Sequence, residues 1–164
     1  MVLKGIEVDI LADGSLDLPD LPWLGSTWCS PPPITSSTCR ARQTRRILRA
    51  MDNRHVSILA HRTGRLIGVR DAYLFDMERV IEAAHQSGCC LEINGDPDRL
   101  DLIDVHAQAA KSAGVRVAIS TDAHSIAGLG HMRFGVDQAR PGLVEASDVV
   151  DTRPLPELKK LVRP

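Results

Sequence analysis

Residues 75–120, FDMERVIEAAHQSGCCLEINGDPDRLDLIDVHAQAAKSAGVRVAIS, carry the pattern that decides the fold. Residues 75–86 set Val80, Ile81 and Ala84 on one helical face, Gly88 supplies a stop, and Cys90–Asn94 (CLEIN) is an apolar run of strand length. The pattern then repeats. Residues 102–113 space Val105, Ala109 and Ala113 for a second amphipathic helix, Gly114 ends it, and 115–120 (VRVAIS) reads as the next strand. Helices alternating with short apolar strands are the signature of βα units built around a parallel sheet or barrel.

Working outward, 56–60 (VSILA) and 5–11 (GIEVDIL) read as two more strands, and a helix begins near residue 40. One stretch breaks the rhythm. Residues 21–39, LPWLGSTWCSPPPITSSTC, are rich in Pro, Ser and Thr, hold both tryptophans and follow neither a strand nor a helix period. A loop or disordered insert is the direct reading, yet so long a structureless run inside a compact domain is itself irregular.

At 164 residues the chain is long enough for one domain with a real core. Hydrophobic residues make up 43% and charged residues 25%, and the formal net charge is −1, so no bulk charge advertises an acidic or basic partner. Any contact with nucleic acid must therefore come from a local patch. The start, MVLKGIE, lacks an apolar leader and no segment approaches a membrane-spanning run, which makes a cytoplasmic protein the expectation. Cys29, Cys39, Cys89 and Cys90 form no CxxC pair, and buried free thiols are expected instead of a zinc ribbon or a disulfide framework.

The residues with chemical potential sit at strand ends. Asp122 and His124, in STDAH just past the VRVAIS strand, are two apart, so in an extended segment both would project to one side, as two ligands of one ion need. An exposed turn is the other reading of that pair. His61 ends the VSILA strand in the same manner and opens a glycine-containing loop, AHRTGR. Glu7 is an acid among the apolar residues of the first strand, where an unpaired buried carboxylate is costly and a metal would offset the cost. A hydrogen-bonded rim histidine and a solvent-facing strand residue are the structural alternatives for His61 and Glu7. Taken together, a Glu, two His and an Asp suit ions such as Zn, Mn or Fe, which polarise a phosphoryl oxygen and acidify bound water, so the chemistry implied is phosphate-ester hydrolysis.

Asn94, Arg99 and, in the loop after His61, Arg65 are the candidate substrate contacts, with loop capping as the other reading of Asn94 and Arg99. Arg42, Arg45, Arg46 and Arg49 recur at i, i+3, i+4 and i+7, giving the helix after residue 40 one basic face that is either solvated or meets phosphates. His55, His85, His106 and His131 lack ligand spacing and read as structural or surface residues.

In their order and spacing, GIEVDILADGSLDLPD, ILAHRTGRLIG, LEINGDPDRLDL and AISTDAHS resemble the PHP domain of bacterial family X DNA polymerases, over nearly the whole chain outside 21–40. The resemblance implies an α/β fold, an irregular (β/α) barrel of PHP type, here partial and with its N-terminal strands missing, forming a single domain over 1–164. It implies a cluster of divalent metal ions, commonly Mn or Zn, and 3′-5′ exonuclease or DNA-end phosphoesterase activity, with DNA as the partner through a parent protein. It also implies Glu7 as a bridging carboxylate, with His61, Asp122 and His124 as further ligands. PHP proteins include small-molecule phosphatases as well, and a non-catalytic DNA-binding remnant using the Arg42 to Arg49 face is the alternative from another class.

The chain departs from the family pattern in three places. Arg62 stands where a proline usually follows the histidine. The chain begins after the half that carries the family's opening HxH motif and its next Asp and His ligands. A further family histidine falls near residues 31–34, where this chain has Pro-Pro-Pro-Ile. Joining the third base of each codon from Pro33 onward to the first two of the next permits His-His-Phe-x-x-Leu-Pro-Arg, so 21–40 is treated as an aberrant segment with an out-of-frame origin as the hypothesis, one that the underlying DNA can dismiss.

Overall fold

The computed structural model describes residues 5–18, 26–30 and 40–161, and for 26–30 the backbone pairing only. Five strands form one sheet: β1 (Gly5–Asp9), β2 (Ser26–Ser30), β3 (Val56–Leu59), β4 (Cys90–Asn94) and β5 (Val117–Ser120). They lie side by side in chain order, and every neighbouring pair is parallel. Helices α1 (Arg40–Met51), α2 (Met77–Ser87) and α3 (Asp104–Ser112) connect successive strands from β2 to β5, and α4 (Met132–Ala139) and α5 (Leu155–Leu161) follow β5.

Alternate residues of a strand point to opposite faces, and the two faces of this sheet differ in kind. Val8, Leu91, Ile93 and Val117 pack with Ile47 and Met51 of α1, Val80 and Ile81 of α2, Ala107 and Ala110 of α3 and Ala139 of α4 in one continuous core. Each fully buried aliphatic side chain there contributes about 1.5–3 kcal/mol. The opposite parity carries Glu7 and Asp9 in β1, Glu92 and Asn94 in β4 and Ser120 in β5. On that second face Ile58, Cys90, Ala118 and Val150 form a small apolar cluster, closed by Leu158 and Leu161 of α5. The larger helical layer thus covers one face, and the polar groups gather on the other at the strand carboxyl ends, beside the α5 contact.

The expected α/β class is what the chain adopts, and four of the five strands fall where the apolar runs placed them, Cys90–Asn94 with the same ends and the other three with ends shifted by up to two residues. Gly5–Asp9 stops short of residue 11, Val56–Leu59 stops one residue before Ala60, and Val117–Ser120 begins two residues late. α2 starts after Asp76, whose side chain accepts a hydrogen bond from the Arg79 amide, and ends at Gly88 with φ +73°. Cys89 and Cys90 are buried, as expected; Cys29 and Cys39 lie outside the residues whose side chains are described.

Two readings are corrected. Residues 26–30, within the stretch that showed no strand period, pair with both β1 and β3. A slot between two parallel strands satisfies backbone N–H and C=O groups on both sides, and that is worth more than the local composition. The rest of the 21–40 segment, apart from Arg40, lies outside the described residues. The buried face of α3 is set by Ala107 and Ala110, both 0% exposed, and Val105 is turned to solvent. The small alanines admit a close neighbour: a Cβ on Gly142 would meet the Ala107 Cβ at 2.7 Å. No helix among the described residues is long and apolar enough to cross a membrane.

Candidate functional site

The carboxyl ends of β1, β3, β4 and β5 converge on Glu92. This side chain is 3% exposed, yet it sits in the middle of an otherwise apolar strand, CLEIN. Its oxygens accept from the Ser120 hydroxyl at 2.5 Å, from the Asn94 side-chain amide at 3.4 Å and from the His61 backbone N–H. The His61 ring lies between two carboxylates, with Nε2 at 3.3 Å from Glu7 Oε1 and Nδ1 at 3.5 Å from Glu92 Oε2. Burial lowers the imidazole pKa, but the hydrogen bond and charge of Glu92, with the charge of Glu7, outweigh it and leave the group raised. An open cleft of about 400 Å³ lined by Glu7, Asp9 and Asp17 meets this trio at Glu7.

Glu7 and His61 are thus brought together across two intervening strand pairings, as two groups sharing one site must be. The burial argument for Glu7 fails, however, because its side chain is 48% exposed. The costly buried acid is Glu92, and the same argument applied to CLEIN finds it: an acid between Leu91 and Ile93 on a strand with both faces covered.

Asp122 and His124 stay close, with His124 Nδ1 3.9 Å from Asp122 Oδ1, but not as the aligned pair of an extended segment. Asp122 takes φ +50°, which breaks the extended course that would have aligned them. Its carboxylate is 2.9 Å from Arg99 Nε, and His124, with its side chain 86% exposed, turns its Nδ1 back to donate to the Asp122 carbonyl at 2.7 Å. Among the described residues no group of three or more His, Cys, Asp or Glu side chains is arranged to hold a metal ion.

The candidate substrate contacts serve the scaffold in this conformation. Asn94 is 0% exposed and its Oδ1 accepts from the Asp96 amide at 2.9 Å, the loop-capping alternative. Arg65 donates to the carbonyls of Arg99, at 3.0 and 2.7 Å, and of Leu100, at 2.5 Å. Arg99 spends its Nε on Asp122.

Arg62, which stands next to His61 where a proline is usual, anchors that loop. It is 0% exposed, its Nη2 donates to the Glu92 carbonyl at 2.7 Å, and its Nη1 faces Asp101 at 3.9 Å. Asp101 in turn accepts from the Thr63 amide at 2.8 Å and hydroxyl at 2.7 Å. The loop that carries His61 is therefore fastened from beneath to β4 and to the loop after it. No periodicity in the sequence marks an arginine as buried, and only the spatial neighbours reveal it.

No family model matches the chain. Among characterised proteins, it is 40% identical over 166 residues to the DNA polymerase/3′-5′ exonuclease PolX of Bacillus subtilis, an alignment covering 99% of this chain and 29% of that protein. It is 34% identical over 137 residues to a probable phosphatase of Thermoanaerobacter sp. and 31% identical over 142 residues to one of Clostridium acetobutylicum, in each case over 75% of this chain and 52% of the relative. The chain belongs to the PHP phosphoesterase superfamily, the resemblance carried by strings such as AISTDAHS. The chain spans under a third of the length of PolX and about half that of the phosphatases.

Proposed function

We infer that this chain is the carboxyl-terminal part of a metal-dependent phosphoesterase domain, with the sheet as one portion of a PHP barrel wall. The observation that carries the reading is the convergence of Glu7, His61 and Glu92 at the carboxyl ends of parallel strands, beside an open cleft. The parent activity is hydrolysis of a phosphate ester, and the match to PolX favours DNA ends, in the manner of a 3′-5′ exonuclease, as substrate. Mn or Zn is the expected cofactor, with Glu7, His61, Asp122 and His124 as the ligands of this half of the site.

As they stand, these residues do not fit a multinuclear centre. Glu7 and His61 touch and His124 stays within 3.9 Å of Asp122, but Asp122 is paired with Arg99, and among the described residues no three such donors are arranged to hold one ion. Weak metal binding and impaired hydrolysis in isolation follow. Within the chain, Arg62 and Glu92 hold the His61 loop, and Arg99 occupies the Asp122 carboxylate.

Isothermal titration with Mn²⁺ and with Zn²⁺ tests the incomplete site. Micromolar or weaker binding is expected, and nanomolar uptake of several ions would overturn it. The matches to probable phosphatases favour a second reading, a small-molecule phosphatase. A 3′-labelled oligonucleotide and p-nitrophenyl phosphate, each incubated with Mn²⁺, separate the two: the first is the expected substrate, and turnover of the second alone selects the alternative.

A further inference from the structure

The first two turns of α1 read RARQTRR, with four arginines and no acid in the first turn. Cations at a helix N-terminus oppose the macrodipole, and arginines three or four apart repel one another, so this segment accumulates positive charge against its own helix. The structure divides the arginines into two sets. Arg46 is buried, donating from Nε to the Leu11 carbonyl at 2.9 Å and from Nη2 to the Ile10 carbonyl, and Arg49 binds the Asp13 carbonyl at 2.9 Å and its carboxylate at 3.5 Å. Those two fasten α1 to the loop after β1. Arg40, Arg42 and Arg45 are exposed and take part in none of the ion pairs found among the described residues.

Their position follows from the connectivity. α1 ends at Met51, four residues before the amino end of β3, so it runs antiparallel to the strands. Arg46 is level with Ile10 and Leu11, just past the carboxyl end of β1, and Arg40, six residues earlier, stands about 9 Å further out at 1.5 Å per residue. Arg40 also shares a cavity of about 510 Å³ with Thr63, two residues beyond His61. These arginines therefore stand toward the carboxyl end of the sheet, and the cavity beside Arg40 is lined also by Asp76 and Glu78 and by none of Glu7, His61 and Glu92.

We propose that Arg40, Arg42 and Arg45 form a contact surface for the phosphate backbone of a single-stranded nucleic acid passing the carboxyl end of the sheet. The choice of nucleic acid over an acidic peptide rests on the phosphoesterase reading of the neighbouring site. Exposed guanidiniums in a row along a helix suit phosphates spaced along a strand, and binding to them carries no base preference.

The test is fluorescence anisotropy of a labelled oligo(dT) titrated with the chain over a range of salt, in EDTA so that hydrolysis plays no part. Each phosphate contact on a single strand contributes about −0.7 to the slope of log K against log salt, so Arg42→Ala with Arg45→Ala shallows the slope by about 1.4. Arg54→Ala with Arg116→Ala removes equal charge at the amino ends of β3 and β5, and leaves the slope unchanged. Absence of oligonucleotide binding by the unaltered chain at low salt overturns the proposal, as does an equal loss in the two double variants. Binding of poly-glutamate of equal charge as tight as that of oligo(dT) overturns the nucleic-acid assignment in favour of an acidic protein partner. Because metal is chelated throughout, failure here is distinguishable from failure of the phosphoesterase reading, which the Mn²⁺ assays decide.

Discussion

The Arg62–Asp101 pair offers the sharpest test of how the site is supported. Both groups are buried, at 0% and 1% exposure, and Asp101 is the carboxylate facing a guanidinium whose pKa burial pushes down while Asp101 and Glu92 hold it up. Asp101→Ala strands that charge and removes the acceptor of two hydrogen bonds from Thr63. Breaking a buried pair from one side costs about 3–5 kcal/mol. At about 2–4 °C per kcal/mol for a chain of this size, the melting temperature falls by about 6–20 °C. Arg62→Met alone costs less, about 1–3 kcal/mol, because Asp101 keeps its bonds to Thr63 while the Glu92 carbonyl loses a donor. The sign of the double variant is decisive. Adding Arg62→Met to Asp101→Ala removes the stranded charge, so the double is more stable than Asp101→Ala by at least about 1 kcal/mol. Urea denaturation followed by far-UV circular dichroism reads all four proteins. Strict additivity, with the double weaker than either single, would refute the account of a desolvated ion pair.

Three further outcomes follow from the geometry. In the metal-free chain the folded His61 pKa is raised, so its stabilisation is complete below the unfolded value of about 6.5 and is lost as pH rises through the folded one. The urea midpoint therefore declines on going from about pH 6 to about pH 8, and His61→Gln flattens that component; an unchanged slope in the variant would exclude the Glu7–His61–Glu92 coupling. Arg99→Ala releases Asp122 from a partly exposed ion pair worth about 0.2–1 kcal/mol, which raises Mn²⁺ affinity by about 1.4- to 5-fold in titration calorimetry. Equal or weaker binding would argue against Asp122 as a ligand. Asp76→Ala removes the α2 N-cap and lowers stability by about 0.5–2 kcal/mol by thermal melting, with no effect on Mn²⁺ binding.

The sequence by itself determined the class of fold and the relatives. Strand-length apolar runs such as CLEIN and VRVAIS, and the helical spacing of Val80, Ile81 and Ala84, are local signals, because side-chain period follows directly from backbone period. Glu7 and His61 could also be picked out, since each is a polar group at a strand position where burial needs an explanation, and the fold brings them to 3.3 Å. Only the tertiary structure decided the rest. Whether Glu7 or Glu92 is the buried acid depends on which strand lies at the interior of the sheet, and whether Arg46 joins a basic surface depends on the carbonyls of residues more than thirty positions away. Strand β2 forms where composition opposes it because its neighbours offer hydrogen bonds on both sides, and Asp122 meets Arg99 where a single positive φ breaks the extended course. Burial, ion pairing and strand insertion are properties of neighbours in space, and a one-dimensional pattern carries them only where those neighbours are also near in the chain.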